Sequence, residues 1–364
     1  MKHIVATVTN DLTYDQRMNR ICRSLVKGGY KVTLVGRERS FSKPLEQKPY
    51  EQVRLKCKFN TGKLFYLEYN FRLWRWMRKQ EFDVVNVIDL DTMLACCRVS
   101  NEKQLPIVYD AHEYFTEMEE VVSRPLIKKA WQWIERNSVP NISLGYTVSR
   151  GYAQLFKEKY KVDYKVVRNV TLLKELPPQN KPQRPYILYQ GSVNVGRGLE
   201  VLIPAMRQIE GVDLVVCGLG NLYEEMVALS TSLGLDDRIH FKGYVKPEEL
   251  PNYTINASVG ITLFSNDGLS NQYSLANRFF DYFHHGVPQL AMAYPEYKAF
   301  NEQFEVAHLL ESLDETSVVD ALNALLKDQT HWNRLHENAL RAREEHNWQA
   351  DEKVLLSVYS NLPS

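Results

Sequence analysis

Short β-branched and apolar runs alternate with amphipathic helical stretches along nearly the whole chain, and this alternation restricts the fold more than any single motif. Lys2 to Val8 reads as a strand, Thr9 to Thr13 as a polar turn, and Gln16 to Lys27 as a helix with Met18, Ile21, Cys22 and Leu25 on one face. Gly28 and Gly29 end that helix before a second strand, Lys31 to Val35. Further strands are predicted at Val53 to Lys58, Val84 to Ile88, Ile107 to Asp110 and Leu144 to Val148. Between them come helices at Phe65 to Lys79, Thr92 to Val99, Pro125 to Asn137 and Ser149 to Tyr160. A strand followed by a helix and another strand closes readily only as a right-handed parallel crossover, so the pattern implies a mainly parallel sheet wrapped by helices.

The pattern breaks once. Leu173 to Arg184, LKELPPQNKPQR, carries three prolines among polar residues and no apolar period, as an interdomain linker does. A second α/β series follows, with strands at Tyr186 to Tyr189, Asp213 to Cys217, Ile239 to Lys242 and Val259 to Phe264. Its helices fall at Leu199 to Ile209, Leu222 to Leu233 and Pro247 to Ala257. In Ser274 to Ala291, SLANRFFDYFHHGVPQLA, helical spacing of Leu275, Phe279, Tyr282 and Phe283 ends at Gly286 and Pro288, before a buried strand. Helices at Glu315 to Leu326, His331 to Glu345 and Trp348 to Tyr359 close the chain. The fold class is therefore α/β, with two facing Rossmann-like domains and a C-terminal helical segment. The domains are placed at 1–172 and 185–345, joined by the linker 173–184, with 346–364 as a helix that could cross back to the first domain. Open parallel sheets bind ligands at strand carboxyl ends, so function is expected between the halves.

At 364 residues and 44% apolar, the chain is long enough for two cores. Its 45 basic and 44 acidic residues leave a net charge of +1, which gives no bulk attraction to nucleic acid. Cys22, Cys57, Cys96, Cys97 and Cys217 show no paired C-x-x-C spacing, so neither a zinc site nor a disulfide framework is indicated. No run has the make-up of a signal peptide or the length of a membrane helix. A cytoplasmic protein is expected, with contact at the inner face of the membrane left open.

Three strand ends in the second half finish in glycine. Gly191 to Leu199, GSVNVGRGL, places Gly191, Ser192 and Gly196 before a helix, with Arg197 offering a forked cation to phosphate oxygens; a plain tight turn is the alternative. Gly218 and Gly220 follow the next strand, and Gly243, Tyr244 and Val245 the third. The polar stretch Ser270 to Ser274 is expected to feed directly into the next helix. That entry would seat a phosphate, with Asp281 two turns on to take sugar hydroxyls.

Together these segments resemble the GT-B glycosyltransferases of family 4 type. The matching words in the second half are YQGSVNVGRGLEVLIPAM, VVCGLGN, IHFKGYVKPEELPNY, ASVGITLF and NRFFDYFHHGVPQLA. In the first half TNDLTYDQRMNRICRSLVKGGYKVTLVG, VIDLDTML, VYDAHEYF and YTVSRGY followed by RNV are similar to the family's bacterial cell-surface polysaccharide branch. The resemblance implies that Arg197 clamps the donor pyrophosphate, that Asp281 binds the ribose hydroxyls and that His112 lies against the donor sugar. Tyr273 falls where the family has the first acid of its paired-glutamate motif, and Ser192 where it has a basic phosphate ligand. Arg278, beside Asn277 at the helix start, is the candidate to restore that charge, while Asn271 or Gln272 could replace the lost acid.

In the first half, Asp89 and Asp91 follow a strand. Asp91 reads as the N-cap of the next helix, and Asp89 stays open between acceptor contact and base. Glu113, next to His112, is either an acceptor contact or a first-turn acid favoured by the helix dipole. Asp15 and Arg17 either line the acceptor side or form an N-cap and a surface ion pair. Gly62 to Lys79, GKLFYLEYNFRLWRWMRK, sets Leu64, Leu67, Phe71 and Trp74 on one helical face with basic residues elsewhere; packing of that stripe on the sheet is the expectation. Contact of the outer basic face and Trp76 with an anionic membrane is the alternative.

The implied activity is transfer of a glycosyl unit from a nucleotide diphosphate sugar to an acceptor hydroxyl of a glycan or lipid-linked glycan. It would proceed with retention and with neither metal nor cofactor. A nucleotide-sugar 2-epimerase of similar fold and a non-catalytic nucleotide-binding homologue are the competing readings.

Overall fold

The structure, a computed structural model, describes residues 1–180, 182–266 and 269–363; Lys181, inside the expected linker, lies outside them. The chain divides into two compact units, Met1–Arg168 with Asp351–Ser364, and Asn169–Ala350.

The first unit holds a parallel sheet of β1 (His3–Thr7), β2 (Lys31–Glu38), β3 (Glu51–Lys56), β4 (Val84–Ile88), β5 (Ile107–Ala111), β6 (Gly145–Thr147) and β7 (Lys165–Val166), ordered β3-β2-β1-β4-β5-β6-β7. Helices cover both faces, so inner strands such as β4, VVNVI, are buried at every position. The polar Asn86 is tolerated there because its amide donates to the Val108 carbonyl at 3.1 Å. Strand order reverses between β1 and β4, where the chain leaves the two carboxyl ends in opposite directions and opens a recess. The loops at that point carry Thr9 to Asp15 and Asp89 to Asp91.

The second unit repeats the plan with β8 (Tyr186–Gln190), β9 (Asp213–Cys217), β10 (Ile239–Gly243), β11 (Val259–Thr262), β12 (Gln289–Met292) and β13 (Ala307–Leu310), ordered β10-β9-β8-β11-β12-β13. Its reversal lies between β8 and β11. Alternate residues of β8 enter different cores: Ile187 and Tyr189 join Leu202, Leu214 and Leu322 on one side, while Leu188 joins Val215, Tyr282 and Val287 on the other.

Several expectations need correction. The strand expected at Val53 to Lys58 is Glu51–Lys56, since pairing of Thr33 with Glu51 sets the register of this edge strand. β7, β13 and the helix Pro295–Gln303 were not anticipated: two residues carry no periodicity, and AHLL is too short to read as a strand. The Ser270 to Ser274 stretch does not lead straight into the long helix. It lies largely in a separate turn, Leu269–Gln272, and the helix proper is Asn277–His284 with Ala276 as its N-cap. Most consequential is the helix Gly62–Met77. Its sheet-facing stripe is Phe65, Tyr69, Leu73 and Met77, each buried, while Leu64, Leu67 and Phe71 are 56%, 65% and 53% exposed. Apolar residues surround this helix, so spacing alone offered two stripes. The one chosen by the fold lets the Tyr69 hydroxyl donate to the Val8 carbonyl at 2.5 Å.

Candidate functional site

In the second unit, three glycine-ended strands interlock at their carboxyl ends. Gly218, with φ +155°, lies so close to Gly191 that a Cβ on it would overlap the Gly191 carbonyl oxygen, and a Cβ on Gly220 would overlap that of Val193. Backbone hydrogen bonds from Gly191 to Cys217 (3.0 Å) and from Gly218 to Gly243 (2.8 Å) tie the loops together. These glycines are required first for close backbone approach. Past this knot, Gly191 and Ser192 are exposed, Tyr244 is half exposed and Val245 is half-buried.

Two guanidinium groups converge there. Arg197, on the loop after β8, places its guanidinium carbon 4.9 Å from the centre of the Phe264 ring, and Arg278, in the first turn of helix Asn277–His284, reaches the same ring at 4.4 Å. Gly196 and Gly198, at φ +73° and +78°, bend the chain around Arg197. Gly198 has no room for a side chain against Leu263. Arg278 is buried, donates to the Leu263 carbonyl at 3.0 Å and lies close enough to Gly191 that a Cβ there would sit 3.1 Å from its Nη1. Nε of both arginines is buried without a hydrogen-bond partner, and neither guanidinium has a carboxylate partner among the described residues. Two guanidiniums against one phenyl ring, with no carboxylate partner among the described residues, form a site suited to an anion with several oxygens.

One turn beyond Arg278, the Asp281 carboxylate accepts from Thr171 Oγ1 at 2.6 Å and from Gln190 Nε2 at 3.0 Å; Thr254 Oγ1 in turn donates to Gln190 Oε1 at 2.9 Å. Asn277 is exposed and accepts from Asn169 at 2.6 Å. Tyr273 and Ser274 are half-buried, with Ser274 Oγ donating to the Ser270 carbonyl at 2.8 Å. Tyr273, Ser274 and Asn277 thus precede the Arg278 turn, whereas Gly218, Gly220, Tyr244 and Val245 belong to the adjoining loops of β9 and β10.

The first unit treats its charges differently. Arg17 does not form the surface ion pair considered as an alternative: it is buried and donates twice to Asp110, from Nη2 to Oδ1 at 2.7 Å and from Nε to Oδ2 at 3.3 Å. Burial opposes the charge on Arg17, but the facing Asp110 outweighs it and raises the guanidinium pKa. Asp15 caps its helix by accepting from the Met18 amide at 2.8 Å, and also accepts from Asn10 at 2.6 Å.

Asp89, directly after β4, adopts φ +52°, a left-handed conformation uncommon outside glycine. Its carboxylate accepts from the Glu113 amide at 2.9 Å and lies 3.8 Å from Nδ1 of His112, beyond hydrogen-bond reach. Burial, with Glu113 and Asp91 nearby, pushes Asp89 well above the usual carboxylate range. Burial together with the cations Arg17 and Arg20 pushes His112 down to about 3, although a third of its side chain stays open. His112 is thus a neutral imidazole with access to solvent at the end of β5. Asp91 is not the helix N-cap, a position taken by Thr92; its carboxylate accepts from Thr9 Oγ1, and burial pushes it up to about 6. His112, Asp89, Asp91 and Glu113 therefore lie near one another at the carboxyl ends of β4 and β5, within the electrostatic reach of Arg17. A separate cavity of about 390 Å3 lies at the amino-terminal ends of β5 and β6, lined by Cys97, Ser138 and Leu144 among others, and involves none of these residues. Among the described residues no cluster of His, Cys, Asp or Glu has the arrangement of a metal site.

Two family profiles match the sequence one after the other: Glycosyltransferase Family 4 over residues 16–170 and Glycosyl transferases group 1 over residues 174–342. The chain belongs to the GT-B glycosyltransferases of family 4. No curated protein matches it significantly in sequence. Among solved structures, this glycosyltransferase is similar to sucrose-phosphate synthase from Thermosynechococcus elongatus, with a TM-score of 0.83 at 17% identity over 99% of this chain and 98% of that one. It is also similar to Anabaena HepE in complex with UDP and glucose, with a TM-score of 0.80 at 14% identity over 100% of both chains. WaaG, described as a glycosyltransferase involved in lipopolysaccharide biosynthesis, gives a TM-score of 0.75 at 14% identity over 98% of this chain and 100% of that one.

Four residues that contact the candidate site were missed in the sequence: Gln190, Thr254, Thr171 and Phe264. Gln190 had a signal, being a lone polar residue at the end of the apolar strand YILYQ, and Phe264 ends the word ASVGITLF. Thr171 and Thr254 had none, because their role depends on which face of Asp281 they meet.

Proposed function

We propose that the chain moves a sugar from a nucleotide diphosphate sugar to an acceptor hydroxyl, with the second unit binding the donor. The observation that carries this is the pair of guanidiniums, Arg197 and Arg278, over Phe264 beside Gly191. As the bond between the anomeric carbon and the diphosphate oxygen breaks, negative charge grows on the leaving group and the sugar gains oxocarbenium character. Fixed cations aimed at that charge stabilise the transition state more than the ground state. Arg278 reaches the turn at Gly191, next to Ser192, so it supplies there the charge that the family draws from a basic residue at position 192.

Asp281, oriented by Thr171 and Gln190, takes the ribose hydroxyls. His112, being neutral, donates a hydrogen bond to a sugar hydroxyl instead of acting as a cation. The acceptor oxygen attacks from the face the diphosphate leaves, so configuration is retained, and its proton passes to the departing phosphate oxygen. Arg197 and Arg278 do the charge neutralisation without a metal. The HepE complex supports UDP as the leaving group, and the WaaG description supports a cell-envelope glycan or lipid-linked glycan as acceptor.

The test is incubation of the protein with uridine, guanosine and adenosine diphosphate sugars and candidate glycan acceptors, read by mass spectrometry. Acceptor-dependent release of nucleotide diphosphate with a matching gain in acceptor mass is expected. An altered nucleotide sugar formed without acceptor would establish epimerisation instead, and absence of turnover despite nucleotide binding would leave a binding protein.

A further inference from the structure

We propose that the first unit holds an oxyanion site at the mouth of helix Gly62–Met77, built on Arg37 and Arg39, which receives a phosphate or carboxylate group of the acceptor. Naming the ligand as acceptor rests on the transferase reading; the site itself does not. Arg37, next to last in β2, is only 8% exposed and has no ion-pair partner among the described residues. Its Nη1 donates to the Asn60 carbonyl at 2.8 Å, and its guanidinium carbon lies 4.0 Å from the centre of the Phe65 ring. Its Nε is buried without a hydrogen-bond partner. A guanidinium has five N–H groups, so one neutral carbonyl leaves this buried cation under-satisfied unless an anion completes it. Asn60 and Phe65 bracket the start of the 16-residue helix, whose N-cap, Thr61, makes no side-chain hydrogen bond to it. The first-turn N–H groups and the positive end of the macrodipole are thus left to another acceptor. Arg39, two residues beyond Arg37, brings a second guanidinium whose Nε is also buried and unpartnered. Burial, and then the like charge of Arg39, lower the Arg37 pKa, the reverse of Arg17, where Asp110 raises it.

The neighbouring carboxylates do not supply the missing charge. Glu68 accepts from the Lys58 and Phe59 amides at 2.8 and 2.9 Å and from Arg72 Nε at 2.7 Å. Asp91 accepts from Thr9, and burial favours its neutral form. Asp11 accepts from the Thr13 amide at 3.2 Å and from Ser42 Oγ at 3.0 Å. Two guanidiniums and a helix mouth therefore share no countercharge, and their fork geometry suits the oxygens of phosphate or carboxylate. Position decides which part of the acceptor binds there. The site opens at the same carboxyl edge of the sheet as Asp89 and His112, but β2 and β5 stand three places apart in it. At about 4.8 Å per strand, that separation is roughly 14 Å. An oxyanion held by Arg37 thus belongs to a remote part of the acceptor and not to the sugar ring whose hydroxyl reacts near His112. A guanidinium stacked on Phe65 for packing alone is the alternative, and it would not respond to anions.

The test is calorimetric titration of the full chain carrying Arg197→Ala with Arg278→Ala, which removes the cations of the donor site, with Tm recorded for every variant. Inorganic phosphate and glucuronate are the probes, and glucose is the neutral control. Phosphate, glucuronate or both are expected to bind while glucose does not, and the probe that binds identifies the oxyanion. Adding Arg37→Met or, separately, Arg39→Met should weaken that binding about tenfold, as loss of a charged hydrogen bond does. Should Arg37→Met fail to fold, Arg37→Lys, which keeps the charge and loses the fork, and the half-buried Arg39 carry the test. In the otherwise wild-type chain, Arg37→Lys should raise KM for a phosphorylated or uronate-bearing oligosaccharide acceptor and leave KM for the donor unchanged. No oxyanion binding, an equal response to glucose, or binding undiminished in folded variants of both arginines would overturn the proposal. So would a neutral acceptor used as well as a charged one. Nucleotide diphosphate binding depends on Arg197 and Arg278 and not on Arg37, so failure of the donor site and failure of this one are separately visible.

Discussion

The recess at the strand reversal of the first unit and the one in the second are built on the same doubly wound plan, yet they treat charge in opposite ways. In the first, the guanidinium of Arg17 is consumed by Asp110, and burial favours the neutral forms of Asp89 and His112. In the second, Arg197 and Arg278 face no carboxylate among the described residues, and the carboxylate of Asp281 is oriented by two neutral donors. One recess offers neutral hydrogen-bonding groups suited to hydroxyls and the other fixed cations suited to a diphosphate. The parallel sheet sets where a ligand goes, and the neutralisation of charge around it sets which ligand.

Breaking the buried pair should have the largest effect and should act on stability. Arg17→Met leaves Asp110 unpaired in the core and is expected to lower unfolding free energy by about 3–5 kcal/mol, while adding Asp110→Leu should recover most of the loss. Denaturant melts of the single and double variants check this. A stable Arg17→Met protein with impaired turnover would instead place Arg17 in the chemistry.

Removing a cation from the other recess should leave the fold in place and cripple transfer. Arg197→Ala is expected to lower kcat roughly 10²–10³-fold and to abolish thermal stabilisation by nucleotide diphosphate. A smaller effect is expected at Asp281, where Asn keeps the shape but loses the charge; a charged hydrogen bond is worth about 1.5–3 kcal/mol. KM for the donor should rise, and preference for ribose over 2′-deoxyribose diphosphates should shrink. An unchanged preference would remove Asp281 from the ribose.

The smallest effect concerns pH. His112 is held down to about 3 by burial and by Arg17 and Arg20, against about 6.5 in an unfolded chain. Below pH 6.5 the unfolded state therefore binds a proton that the native state refuses, so stability should fall as pH drops from about 6.5 towards 3. His112→Gln should flatten that part of the stability profile, and the wild-type imidazole should remain neutral by NMR at pH 5. An imidazole titrating near 6.5 would erase the contrast between the two recesses.

Much of this architecture was legible in the sequence, because parallel strands buried on both faces leave apolar runs and helices leave a period of their own. The final helices, placed at Glu315 to Leu326 and Trp348 to Tyr359, are observed at Glu315–Lys327 and Trp348–Ser360. What the sequence concealed lay where several patterns fit or where the partner is distant. The helix Gly62–Met77 is apolar around most of its circumference, so only packing against β-strands decides that Tyr69 faces in and Leu67 out. Arg17 and Asp110 are 93 residues apart, and nothing local marks them as a pair. Of the candidate site, motifs in the sequence marked Arg197 and Asp281, but the contacts of Arg197 with Phe264 and of Asp281 with Gln190 and Thr171 depend on loops meeting in space.

The central claim is that Arg197 and Arg278 grip one diphosphate. Titration calorimetry with the diphosphates of uridine, guanosine and adenosine tests it most directly, on the wild type, Arg197→Ala, Arg278→Ala and the double variant, with Tm recorded for each. The account predicts that at least one nucleotide binds the wild type, that each single substitution weakens it, and that the two losses are coupled by about 0.5–3 kcal/mol, as for groups sharing one ligand network. Undiminished binding in either folded single variant, or losses that simply add, would contradict it.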